Sequence, residues 1–337
     1  MQADTPRSIL ISVLNWNGSA ATTACVRSLL ALENRSGHVV QLMVIDNGSR
    51  PAEWELLQSG LRDAPVRLVR EENNLGFAGG HNIALRQALE QGLDYAWLVN
   101  SDAIVKPSSL DHLVRLIDSD ATCGAVSPLI LALEDESVID FCGARHDWAN
   151  LDSVNSTSIS ATREMERQHP REMWLMGAAI LLRMEAIGQG GLLNDTYFAY
   201  YEDNELCARL SAAGWFSRMA FDAVVLHSHP PVRMRDKGAY YFYLMARNSF
   251  KFWFQQTPRP HRKLIRLKLV DRALLVANRL HHHGYADKRD ACLLGIYDGQ
   301  AGRSGAWNLE RSVPAAMKLL RQALWRNHSR HLGHGEN

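Results

Sequence analysis

Long apolar runs are missing from this sequence. The strongest, Met173–Leu182, lies between Arg171 and Arg183 and is about half of the ~20 residues that a membrane-spanning helix needs. Met1–Ser8 is polar and shows no apolar core of a signal peptide, so a soluble or peripheral protein is expected. Cysteine is scarce: five residues in 337, none in a CxxC pair. An odd count without paired spacing fits a reduced, cytosolic chain better than a disulfide framework. No GxGxxG follows the first apolar run, which argues against a nicotinamide dehydrogenase. A basic, glycine-rich loop is also missing there, which argues against a sugar-phosphate nucleotidyltransferase. Internal repeats and low-complexity tracts are absent apart from His281-His282-His283.

Net charge is nearly absent as well, at +1. The average hides an asymmetry. Residues 1–227 hold 17 Lys+Arg against 29 Asp+Glu, whereas residues 228–337 hold 20 against 7. A basic C-terminal part is a prior for an anionic partner. No nucleic-acid recognition motif accompanies it, so nucleic acid is not expected.

What is present in the first half is alternation. Apolar runs at Ile9–Leu14, Val39–Ile45, Val66–Val69 and Tyr95–Val99 read as buried strands. Helical patterns separate them at Ala20–Leu32, Ala52–Gln58 and Ala78–Gln91, and Ser108–Ile117 follows after Pro107. Short continuous strands alternating with helices predict an α/β fold with a mostly parallel sheet flanked by helices. Ligands bind such sheets outside the carboxyl ends of the strands. Those ends carry Asn15–Gly18, Asp46–Ser49 and Asn100–Asp102, so Asp46 and Asp102 are expected on one sheet edge.

Beyond Cys123 the pattern weakens. Residues 147–170 read as a polar surface loop. Trp174–Leu182 reads as one buried strand, Tyr197–Tyr201 as an aromatic strand, and Glu202–Ala213 as a helix. Phe216–Met219 and Ala223–Leu226 read as two strands, ending at His227. Helices are expected at Tyr240–Gln256, Leu264–Arg279 and 287–300. The division expected is residues 1–235 as a catalytic domain, with a nucleotide half (1–120) and an acceptor half (121–235). Residues 236–337 form a basic, aromatic-rich helical extension.

Chemistry-bearing residues keep two readings at this level. Asp102 is either a turn residue or, with His227, part of a Mg²⁺ or Mn²⁺ site completed by phosphate oxygens. Glu202, Asp203 and Glu205 either complement a helix dipole or supply a general base. The glycines of Asn73–Asn82 serve tight packing or let the backbone approach a phosphate. Trp174 and Tyr197–Tyr201 are ordinary core or a wall facing a sugar. His229 is a loop residue, and His281–His283 a solvated helix end.

Taken in order, the motifs resemble the inverting family-2 glycosyltransferases of the GT-A fold, in particular bacterial rhamnosyltransferase-like members. The stretches are Val13–Asn17, Val44–Ser49, Asn74–Asn82, Leu98–Ala103, Trp174–Ala179, Tyr200–Arg209, Gly214-Trp215 and His227, spanning about residues 8–250. The resemblance implies a nucleotide-diphosphate sugar donor, dTDP-rhamnose in that subfamily, and Mg²⁺ or Mn²⁺. It implies a saccharide or lipid-linked saccharide acceptor in cell-surface polysaccharide synthesis. By the same resemblance Asp46 reads the nucleoside, and Asn74 and Gly76 lie along the nucleotide. Leu14, Asn15, Asn100 and Ser101 line the donor, and Asp102 and His227 hold the metal. Trp174 and Gly177 face the acceptor, and Asp203, with Glu202 beside it, is the base. Asn100 stands where the family's DxD motif has its first acid. A non-catalytic sugar-nucleotide-binding protein is the competing class, distinguished by donor binding without any transfer or hydrolysis.

The C-terminal part interleaves aromatic, basic and apolar residues between Tyr240 and Lys268. This suits an interfacial helix on anionic lipid at the inner face of the plasma membrane. A helical subdomain packed on the catalytic domain or in a homodimer is the alternative.

Overall fold

The computed structural model describes residues 5–228, 234–308 and 310–329. The chain divides into two compact units. The first comprises Met1–Asp147, Ser153–Asp195 and Glu202–Pro230; the second comprises Trp148–Asp152, Thr196–Tyr201 and Pro231–Asn337. His229 lies outside the described residues.

In the first unit the strands and helices alternate as β1 (Ser8–Asn15), α1 (Ser19–Leu30), β2 (Val39–Asn47), α2 (Pro51–Gly60), β3 (Arg67–Glu71), α3 (Gly76–Glu90) and β4 (Tyr95–Asn100). Then come β5 (Ala103–Val105), α4 (Ser109–Asp118), β6 (Cys123–Ala132), β7 (Ile139–Phe141), β8 (Ala144–Asp147), β9 (Asp152–Asn155) and α5 (Ile159–Gln168). The unit closes with β10 (Met173–Trp174), β11 (Ala179–Arg183), α6 (Met184–Gly190), α7 (Glu202–Ala212) and β12 (Phe216–His227). Both faces of the sheet are covered. Along β1, Ile9, Ile11 and Val13 enter one apolar cluster and Leu10 the other. The period of two explains why these strands read as unbroken apolar runs.

The main sheet has the order β3-β2-β1-β4-β11-β6-β12-β5. It is parallel from β3 to β4 and mixed beyond, because β11 enters antiparallel between β4 and β6. Three local expectations are corrected here. Trp174–Leu182 is not one strand: β10 and β11 belong to different sheets, joined by a turn that contains Gly177. Residues 147–170 are not all loop, since Ser158 caps α5 by accepting from the Ala161 N–H at 3.2 Å. Phe216–His227 is one strand whose register slips between Ala220 and Val224.

The second unit contains α8 (Ala239–Gln256), α9 (Ile265–His282), α10 (Ala286–Gln300) and α11 (Ala315–His328). α10 presses its backbone on α8. A Cβ on Gly295 would lie 2.3 Å from the Tyr243 carbonyl oxygen, and one on Gly299 2.9 Å from that of Arg247. No larger residue permits this crossing. Tyr197–Tyr201 is not a strand: a 3₁₀ turn at Asp195–Tyr197 leads into left-handed backbone at Phe198, Tyr200 and Tyr201, with φ of 67°, 68° and 74°. Among the described residues, no helix is long and apolar enough to cross a membrane.

Candidate active site

Strand register assembles the polar ends of the first unit. Asn15 pairs with Asp46, and Leu14 with Asn100. Asp46 has no exposed surface. Its Oδ1 accepts from Asn15 Nδ2 at 2.7 Å, and its Oδ2 lies 3.8 Å from Arg70 Nε. Thr22 Oγ1 donates to Asn15 Oδ1 at 2.7 Å, which fixes the orientation of that amide. Arg70, whose guanidinium lies 4.9 Å from the Trp54 ring, was not singled out by sequence. The Leu14 side chain packs against α3 at Gly80.

Asn47 ties the loop before α3 to the end of β2. Its Nδ2 donates to Asn74 Oδ1 at 3.1 Å and to the Gly76 carbonyl at 3.0 Å, and its Oδ1 accepts from Leu75 N at 2.9 Å. The two segments approach so closely that a Cβ on Gly48 would sit 2.6 Å from the Asn73 carbonyl carbon. Asn74 Oδ1 also accepts from the Gly76 N–H at 2.8 Å.

His227 reaches Asp102 through the antiparallel pairing of β12 with β5, where His227 stands opposite Ala103. The imidazole Nε2 is 3.4 Å from Asp102 Oδ1 and 3.2 Å from Asn100 Nδ2. Nδ1 is 3.1 Å from Asp140 Oδ2. Burial lowers the pKa of this imidazole, but the hydrogen bonds to Asp102 and Asp140 outweigh it and push it up to about 9. Ser101 lies in the β4–β5 turn beside Asp102, whose side chain is 45 % exposed. Among the described residues, no group of three or more His, Cys, Asp or Glu side chains is arranged to hold a metal. A carboxylate and an imidazole whose far nitrogen meets a second carboxylate nevertheless suit a divalent cation that takes its other ligands from phosphate and water. Asp140 is the partner that the sequence did not reveal.

Asp203 sits at the start of α7. Its Oδ2 accepts from the Gly177 N–H at 3.0 Å; its Oδ1 accepts from Asn204 N at 2.7 Å and Asn204 Nδ2 at 3.0 Å. Asn204 Oδ1 is 3.1 Å from His146 Nε2. The amide nitrogen faces Asp203, so the imidazole Nε2–H is the donor. Burial pulls the His146 pKa down to about 3, against the raising effect of Asn204, and keeps the ring neutral. Burial also raises the Asp203 pKa above the usual carboxylate value, although the bonds from Asn204 and Gly177 restrain it. Glu202 is pushed up well above its ordinary value, first by burial and then by Asp203. Its Oε2 is buried and has no hydrogen-bond partner among the described residues. Burial thus favours the protonated form of Glu202 and raises the proton affinity of Asp203, which suits a group that takes up a proton. Trp174 is 9 % exposed and its ring lies 6.3 Å from that of His146 at 17°.

The helical unit has its own cavity of about 840 Å³. Met245, Leu269 and Val276 supply apolar lining, and Arg235, Lys237 and Arg272 supply positive charge.

Comparison with known proteins agrees with this architecture. Residues 8–135 match the Glycosyl transferase family 2 profile. The chain is 29 % identical over 252 residues to the N-acetylglucosaminyl-diphospho-decaprenol L-rhamnosyltransferase of Mycobacterium tuberculosis, covering 66 % of this chain and 80 % of that protein. Among solved structures it resembles the mannosyltransferase PcManGT from Pyrobaculum calidifontis in complex with GDP-Man and Mn²⁺. The TM-score is 0.53 at 16 % identity, over 98 % of this chain and 84 % of that one. It also resembles S. aureus TarS, with a TM-score of 0.57 at 14 % identity, over 96 % of this chain and 54 % of that one. At these identities the structural likeness concerns the fold. Over residues 8–135 the chain is thus similar to Glycosyl transferase family 2, and its fold is GT-A-like.

Proposed function

We propose that this chain moves L-rhamnose, with inversion, from dTDP-rhamnose to a lipid-linked saccharide in cell-surface polysaccharide synthesis. The observation that carries the reading is the setting of Asp203. Three donors from Gly177 and Asn204 hold its carboxylate, and burial lifts its proton affinity. Oδ1 accepts both Asn204 bonds and Oδ2 accepts that of Gly177, so Oδ2 is the oxygen offered to the acceptor hydroxyl. That hydroxyl gives its proton to Asp203 as its oxygen attacks the anomeric carbon, and the bond from that carbon to the diphosphate oxygen breaks. Burial and the Asp203 charge both favour the protonated form of Glu202, which limits negative charge beside the base.

Asp46 and Asn15, with Arg70 beside them, form the nucleoside end of the donor site. Asn74 and Gly76 lie along the nucleotide, and Asn100 and Ser101 border the diphosphate. Asp102 and His227 would hold Mg²⁺ or Mn²⁺, with Asp140 orienting the imidazole. When bound, the cation neutralises charge on the leaving diphosphate. The acceptor side is the turn at Gly177, which follows the buried Trp174 of β10. Residues 1–235 carry these steps and 236–337 serve the acceptor.

Two observations favour a lipid-linked acceptor. The relative from M. tuberculosis bears decaprenol in its name. The cavity of the helical unit pairs apolar lining with cations, which suits an alkyl chain beside a phosphate. Leu264 and Leu267 are 58 % and 66 % exposed among Arg262, Lys263, Arg266 and Lys268. This pattern fits peripheral binding to an anionic cytoplasmic leaflet.

The test is direct. Full-length protein with Mn²⁺, dTDP-L-rhamnose and a short-chain diphospho-N-acetylglucosamine should yield a disaccharide whose rhamnosyl linkage is inverted by NMR. Donor binding with neither transfer nor hydrolysis would overturn the enzymatic reading. Transfer from another nucleotide sugar only would overturn the donor.

A further inference from the structure

Arg247 and Asn248, adjacent on α8, have no exposed surface. Burying a guanidinium and a carboxamide is unfavourable unless their hydrogen-bonding groups find partners. Apart from a bond from Arg247 Nη1 to the Gly305 carbonyl and one between the two side chains, the partners are backbone carbonyls of one short segment. Asn248 Nδ2 donates to the carbonyls of Tyr197 at 3.0 Å, Ala199 at 2.8 Å and Tyr200 at 2.8 Å. An amide has two N–H bonds, so one of them is shared. Arg247 Nη2 adds a bond to the Tyr197 carbonyl at 2.8 Å, and its Nε donates to Asn248 Oδ1 at 2.8 Å. That last bond turns the amide so that its NH₂ faces the segment.

The segment needs holding. Phe198, Tyr200 and Tyr201 are bulky residues in left-handed backbone, a conformation that L side chains adopt only where the surroundings impose it. Rings help: Tyr200 meets Tyr241 edge-on at 5.2 Å, and Tyr201 lies 5.5 Å from Phe252. The next two residues in the chain are Glu202 and Asp203.

We infer that Arg247 and Asn248 are positioning residues for the acid pair. They clasp the Tyr197–Tyr201 carbonyls and so set the turn that delivers Glu202 and Asp203 to the start of α7. The inference rests on the reading of Asp203 as base, but its test has a readout independent of activity. The Gly177 and Asn204 amides are bonded to Asp203, so their hydrogen exchange reports where that carboxylate sits.

In full-length Asn248→Ala, exchange at Gly177 and Asn204 should rise at least about 10-fold, with β1 and β4 unchanged. Rhamnosyl transfer from dTDP-L-rhamnose should lose about 10-fold or more in kcat, with donor KM within about 2-fold. Adding Tyr200→Gly, which adopts the left-handed turn unforced, should restore part of both. Arg247→Lys, which loses the bond orienting Asn248, should act in the same direction and serves if Asn248→Ala does not fold. Wild-type protection at Gly177 in the folded variant, or equal loosening of β1 and β4, would overturn the clasp. Undiminished transfer by Asp203→Asn would overturn the base assignment instead, and Gly177 exchange would still decide the clasp.

Discussion

The backbone N–H of Gly177 donates to Oδ2 of Asp203 across 3.0 Å. The two residues are 26 apart in sequence, one in the turn between β10 and β11 and the other opening α7. The contact joins the turn proposed to face the acceptor to the carboxylate proposed to accept the acceptor's proton.

Asp203→Asn keeps the shape and removes the basicity. General-base catalysis contributes about 10²–10⁴-fold, so transfer should fall by that order, with donor affinity changed less than about 2-fold. Rapid-quench turnover with dTDP-L-rhamnose and calorimetry with dTDP give the two numbers. A variant that turns over at the wild-type rate excludes Asp203 as base.

The raised Asp203 pKa places the acid limb of kcat against pH above the ordinary carboxylate value of 3.8. Asn204 lowers that pKa through its side-chain and backbone bonds. Asn204→Ala removes the side-chain bond, so the limb should move to higher pH. A limb that stays put or moves down shows that another group governs it.

Glu202 bears on stability. Its folded-state pKa is raised, so its contribution is fully present below the unfolded value of 4.5 and is lost as pH rises through the folded value. At pH 8 the wild type therefore ionises a buried carboxylate or holds it protonated at a cost, and Glu202→Gln removes that cost. Thermal unfolding should show a higher Tm for Glu202→Gln at pH 8, with the difference closing toward pH 4. An unchanged or lower Tm at pH 8 would count against a raised Glu202.

For the cation, Asp102→Ala and His227→Ala should each weaken Mn²⁺ binding in the presence of dTDP. Partners behind a metal-bound histidine are typically worth about 10–100-fold in affinity, so Asp140→Asn should fall in that range. Electron paramagnetic resonance titration measures free Mn²⁺ directly. Equal affinity in all three variants would remove this site from consideration.

On membranes, the exposed Leu264 and Leu267 among four basic residues predict sedimentation with phosphatidylserine-containing vesicles at low salt and release at high salt. Leu264→Glu/Leu267→Glu should abolish it. Binding that survives both the substitution and high salt would point to another surface.

Much of this arrangement was legible in the chain itself. Apolar runs ending in Asn15, Asp46 and Asn100 specify strands whose carboxyl ends share one edge, because βα alternation makes neighbouring strands parallel. The cluster Glu202–Glu205 specifies a helix start, because acids there meet the positive end of its dipole. Periodicity and local charge are short-range properties, and these conclusions need nothing more.

Tertiary structure decided the remainder. His227 meets Asp102 only because β12 pairs antiparallel with β5, and Asp140 meets His227 from yet another strand. Tyr197–Tyr201 reads as a strand, since aromatic residues favour one. The carbonyl clasp of Arg247 and Asn248 instead holds it in left-handed turns. Neither residue carries a local sign of that role, because a buried hydrogen bond across about 50 residues has no sequence period. Among the described residues the apolar surface is buried in strands of two to twelve residues and in helix faces, and no helix is long and apolar enough to cross a membrane.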